Sequence, residues 1–198
     1  MDVLAYLKQR QNELEKKRHP LSDRDSSFRY LYAFGVSVMT MGDMKAITEL
    51  QDRFQFFLEC LSIPAEQREQ LMTDINDHFE YRLSECIRIL KTKEVQYCFF
   101  CDLYHLMQNV VWAESYCKKV LRNYFDIFHM SEHEIAFFEQ FSKAAMQKDL
   151  NRAKELYHEF LEEGFDISYR TLRYFYPEFE EEDFFRDIIV KAGKTFQN

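Results

Sequence analysis

YLYAFGVSVMTMGDMKAITELQDRFQFFLECLSIPAEQREQL, residues 30–71, decides the fold once it is laid over YCFFCDLYHLMQNVVWAESYCKKVLRNYFDIFHMSEHEIAFF, residues 97–138. The offset is 67 residues and needs no gap. Val36 meets Leu103, Met39 meets Leu106, Ala46 meets Ala113 and Phe54 meets Leu121. Farther along, Phe57 meets Tyr124, Leu58 meets Phe125, Leu61 meets Phe128, Ile63 meets Met130 and Leu71 meets Phe138. Apolar matches that recur every three or four residues mark the inward faces of equivalent helices. The pattern therefore predicts two pseudo-repeated helical halves.

Composition agrees with an all-α chain. Among 198 residues there are only 4 Gly and 3 Pro, too few turn formers for many short strands and hairpins. Aromatic residues make up 17%, with 20 Phe and 12 Tyr, so contacts between helices should be rich in rings. Helices are expected at about 2–17, 26–41 and 44–61. Pro64 suits the first turn of the next, where its missing N–H costs nothing. That helix keeps Leu71, Ile75, Phe79, Leu83, Ile87 and Leu90 at helical spacing to about residue 91, and should join the two halves as a long central helix. Further helices are expected at about 94–108, 112–128, 132–147, 149–163, 168–176 and 179–192. This gives an N-terminal helix and loop over 1–25, a duplicated helical domain over 26–147, and a C-terminal hairpin with a tail helix over 148–198.

HMSEHE, residues 129–134, is the one stretch that looks like a metal motif. Chelation by His129 and His133 needs both on one helix. Ser131 and Glu134, however, have the spacing of a capping box, with Met130 and Ile135 placed as a hydrophobic staple. The stretch is read as a helix start. Cys98, Cys101 and His105 share a helical face, but zinc needs further ligands that no second CxxC supplies. At the repeat offset the two thiols lie over Leu31 and Phe34, which makes them buried and inert. The break MGD, residues 41–43, followed by Glu49, gives Asp43 and Glu49 as candidate ligands of a divalent ion; the alternative is a glycine break with a capping aspartate.

A net charge of −8 and a pI of about 5.3 argue against a phosphate-binding surface. Lys16-Lys17-Arg18 and Lys118-Lys119 are short and read as solvated helix faces. No apolar run is long enough to span a bilayer. The opening MDVLAYLKQRQNELEKKR lacks a signal-peptide layout and reads as an amphipathic helix. Five irregularly spaced cysteines fit reduced thiols in a cytoplasm. There is no GxxxxGK[ST] loop, no GxSxG elbow and no Ser/His/Asp order, so neither catalysis nor a cofactor is expected. The tail PEFEEEDFF, residues 177–185, places Phe179, Glu180, Glu181, Glu182, Asp183, Phe184 and Phe185 together. Acidic residues favour a helix N-terminus. The same run would also make an acidic, aromatic docking surface for a basic protein partner.

Over about residues 28–146 the chain resembles the TerB-like (tellurite-resistance B-like) helical domain, chiefly through LRNYFDIFHMSEHEIAFFEQF, residues 121–141. The resemblance implies an accessory module in bacterial stress or phage-defence systems, beside ATPase or dynamin-like partners. It also implies metal binding at an acidic break. Here that break keeps only Gly42, Asp43 and Glu49 in the first half, and Gln108-Asn109-Val110 with Glu114 in the second. Residues 148–174 are similar to one pentatricopeptide-like hairpin, through Ala153, Leu156, Tyr157, Phe160 and a capping Gly164. A single copy cannot stack into an RNA-reading array.

Overall fold

The computed structural model describes residues 18–40, 53–77, 79–107, 122, 125–165 and 167–176. Among these, all regular secondary structure is α-helical. In chain order the helices are α1 (Ser26–Thr40), a helical stretch over 53–60, α2 (Ala65–Asp77), α3 (Phe79–Ile89), α4 (Lys93–Met107), α5 (Glu132–Gln147), α6 (Leu150–Glu162) and α7 (Tyr169–Phe175). The expected central helix is realised as α2 and α3 on either side of residue 78, which lies outside the described residues.

Helix α1 sits at the centre because its middle, residues 32–36, is apolar on all sides. Residues 32–37 are buried without interruption, and α1 packs against α2, α3 and α4. A helix buried all round cannot show a polar face. Its start is set by Asp25, whose Oδ1 accepts the Phe28 amide at 2.9 Å. Helix α5 lies along α6, and α7 reaches α4. One buried apolar cluster runs from Leu21 to Tyr176 and so draws on the loop before α1, the middle of the chain and the C-terminal hairpin alike.

Rings dominate that cluster, as the composition predicts. Phe137 stacks on Phe160 with centroids 3.9 Å apart, which fastens α5 to α6. Phe160 continues to Phe165 at 4.8 Å. Tyr97 meets Phe138 at 4.9 Å and Phe100 meets Phe125 at 4.9 Å, tying α4 to both flanks. Such offset or tilted pairs each add about 1 kcal/mol to the burial of their area.

Helix ends repeat one device. The Ile63 amide donates to Leu58 O at 2.9 Å while Ser62 takes φ 60°. The Met130 amide donates to Phe125 O at 3.0 Å while His129 takes φ 50°. These two links stand at the offset of the sequence match. The same left-handed turn also closes α5 at Lys148 (φ 55°) and α6 at Gly164 (φ 88°), so it recurs at four helix ends among the described residues. Only Gly164 adopts it without the steric cost that a Cβ brings.

The start of α5 follows the spacing of HMSEHE. Ser131 Oγ accepts the Glu134 amide at 3.2 Å, and Glu134 Oε2 accepts the Ser131 amide at 2.8 Å. Asp149 and Ser168 cap α6 and α7 in the same way, accepting from the amides of Arg152 and Thr171.

Candidate functional site

The candidate residues of the tail, Phe179, Glu180, Glu181, Glu182, Asp183, Phe184 and Phe185, lie outside the described residues, as do Asp43 and Glu49. The cysteine set is described and is not brought together. Cys98 and Cys101 face the core of α4, whereas His105 is turned to solvent. Cys98 Sγ is 3.4 Å from Thr171 Oγ1. Burial pushes both thiols far above the usual range. Among the described residues no group of three or more His, Cys, Asp or Glu is placed to hold a metal ion.

Two buried polar centres went unseen in the sequence. The first joins the loop before α1 to α4. His19 Nδ1 accepts the Leu21 amide at 3.0 Å, so its Nε2 carries the ring proton and donates to Asp102 Oδ2 at 2.8 Å. Tyr32 donates to the same oxygen at 2.6 Å. The His19 amide donates to Cys60 O at 3.1 Å, and the ring of Tyr174 packs 4.8 Å from the imidazole. A His–Asp–Tyr cluster resembles acid–base machinery, but the side chains of His19 and Asp102 are 0% and 3% exposed. Both ring nitrogens are committed inside the fold, so the cluster fastens the loop. A signal did exist: Asp102 is the only Asp, Glu, Lys or Arg between Val95 and Met107, in a run that otherwise reads mostly as core.

The second centre extends the capping box. Glu134 Oε1 accepts from Lys93 Nζ at 2.7 Å and from Tyr97 OH at 2.8 Å, so one carboxylate caps α5 and clamps the start of α4. Burial raises the Glu134 pKa. The Lys93 ammonium, the Ser131 amide, the Tyr97 hydroxyl and the Ser131 hydroxyl outweigh it and hold the group below the ordinary carboxylate range. The sign follows directly. A depressed folded pKa stabilises the fold above the unfolded value of about 4.3, and that stability is lost as pH falls through the folded pKa. Glu134→Gln is therefore expected to lose about 1–3 kcal/mol at neutral pH. The gap from the parent should shrink in urea melts below pH 4. A gap unchanged with pH would show that the charge contributes nothing.

A cleft of about 290 Å³ opens where α1, α2 and α3 meet. Ser26, Ser27, Tyr30, Leu31, Gln67, Arg82 and Glu85 line it. Its floor is fixed by Asp74, which is buried and accepts from Tyr30 OH at 2.8 Å, from Gln70 Nε2 at 2.7 Å and from Arg82 Nε at 3.1 Å. Arg82 Nη1 reaches Glu85 Oε2 at 3.3 Å, and the guanidinium lies over the Tyr30 ring at 5.8 Å. Burial and then the bond to Asp74 push the Tyr30 phenol up, so it stays protonated.

Comparison of the chain with family models, with curated proteins and with solved structures returned no match. No helix of the described residues is long and apolar enough to cross a membrane.

Proposed function

We propose that this chain is a non-enzymatic, cytoplasmic helical interaction module that acts by holding a protein partner. The observation that carries the reading is how its polar chemistry is divided. Inside, His19, Asp102, Glu134 and Asp74 are each committed to bonds that hold helices together. Outside, α6 exposes Glu155, Glu159 and Glu162, while Phe56, Met72, Tyr81 and Ile127 are large apolar side chains left in solvent. A chain of net charge −8 with aromatic residues on display suits a basic protein partner better than nucleic acid. The TerB-like resemblance points the same way, to an accessory role beside an ATPase or dynamin-like protein in a stress or phage-defence system.

The tail residues Phe179, Phe184 and Phe185, with Glu180, Glu181, Glu182 and Asp183 between them, are the proposed contact. The test is native mass spectrometry of complexes recovered with the parent and with Phe179→Ala/Phe184→Ala/Phe185→Ala. The expected result is a stoichiometric partner that the triple variant loses. A partner held equally by both removes the tail from the proposal, and a parent that recovers no partner overturns the reading. An inhibitor of a basic toxin or nuclease is the second form of this function, favoured by the exposed acids of α6. It would show a one-to-one complex whose association rate falls steeply with salt.

A further inference from the structure

The cleft between α1, α2 and α3 carries a more specific assignment. Its wall presents an opposed pair of charges, Arg82 and Glu85, 3.3 Å apart and 33% and 21% exposed. Arg82 is held from behind by Asp74, so its position does not depend on a ligand. Among the described residues, neither its Nη2 nor the hydroxyl of Ser27, another lining residue, has a hydrogen-bond partner. Leu31 and the Tyr30 ring supply an apolar side.

A lone anion approaching Arg82 meets Glu85 in the same wall, and a lone cation approaching Glu85 meets Arg82. A ligand that carries both charges meets neither penalty. In an α-amino acid the ammonium nitrogen and the carboxylate carbon are about 2.5 Å apart, so both charges of one molecule can lie against a pair whose atoms are 3.3 Å apart. Its carboxylate can accept from Arg82 Nη2 and Ser27 Oγ while its ammonium donates to Glu85. A volume of about 290 Å³ is at the small end for ligand pockets and fits such a molecule. We propose that this cleft is a binding site for a free α-amino acid, held across the Arg82–Glu85 pair with its side chain against Leu31 and Tyr30. The floor built on Asp74 exists before binding, which removes much of the ordering cost.

The test is thermal unfolding and calorimetric titration of the full chain with each free L-amino acid, and with the N-acetyl and carboxamide forms of any that bind. At least one free amino acid is expected to raise Tm by roughly 5 °C at about a hundredfold excess over its Kd. Blocking either end should weaken it by about tenfold or more. Ser27→Trp fills the cleft without touching Asp74 and should keep the parent's Tm while losing the ligand's shift. Should that variant fail to fold, Glu85→Gln leaves Arg82 paired with Asp74 and should lose about tenfold in affinity. The proposal is overturned if no free amino acid binds, if the blocked forms bind as well, or if the variant that folds binds as the parent does.

Discussion

Gly35→Ala should destabilise the protein by about 3 kcal/mol, at the upper end of the cost of overpacking a core. Gly35 lies in the buried middle of α1, where α3 crosses it. A Cβ built there would stand 2.2 Å from Cys86 Sγ and 3.2 Å from Phe99 Cε2. The first distance is far inside van der Waals contact, so the sulfur must shift, and Cys86 is itself fully buried among packed neighbours. For a chain of this length the loss corresponds to a fall in Tm of roughly 6–12 °C. The cause is testable by compensation. Cys86→Ala removes the sulfur and alone should cost about 1 kcal/mol as a small cavity. In the double variant the new methyl takes up part of that space, so Gly35→Ala/Cys86→Ala should be more stable than Gly35→Ala alone. A double variant as unstable as the sum of the two would place the strain at Phe99 or in the backbone instead.

The conspicuous glycine of the sequence was the one in MGD, at residue 42, because it interrupts an apolar pattern. Gly35 interrupts nothing: a glycine inside a helix is invisible until the crossing helix is known. The same division runs through the rest of the chain. The capping box of Ser131 and Glu134 was legible because both partners sit within one turn and the spacing is a local rule. The second duty of Glu134 was not, because Lys93 and Tyr97 come from another helix. Cys98 and Cys101 read as core through the match with Leu31 and Phe34, and they are buried. His19 fell within the N-terminal helix and loop over 1–25, and nothing near it in sequence announces a carboxylate that lies 83 residues away. The turns at Ser62, His129 and Lys148 were hidden for a different reason. They place ordinary residues in the left-handed region, where sequence rules look for glycine or asparagine. The fold class therefore followed from composition and period, whereas the cleft on Arg82 and Glu85 depends on three helices meeting and left no local trace.

Asp102→Ala should be the other severe change, at about 2–6 kcal/mol, since each of two buried donors left without an acceptor costs about 1–3 kcal/mol. The substitution leaves His19 Nε2–H and Tyr32 OH without an acceptor in a site that water does not reach. It also removes the bond from the loop before α1 to α4; the polar ties of that loop to the C-terminal hairpin include the exposed pair of Asp23 with Arg170 at 2.8 Å. An exposed pair of that kind contributes little. Trypsin should then cut at Arg18 or Arg24 in the variant faster than in the parent. Tyr32→Phe removes one donor and leaves the other, so a loss of about 1 kcal/mol is expected. His19→Ala costs more, because it opens a cavity among Tyr32, Phe57 and Tyr174 as well as taking a bond from Asp102. The decisive measurement is the double variant His19→Ala/Asp102→Ala. If the two side chains act as one fastening, the double variant loses clearly less than the two single losses added together, by about 1–3 kcal/mol. Strict additivity would mean that ring packing against Tyr174 and Phe57 holds the loop, and that the carboxylate serves Tyr32 alone.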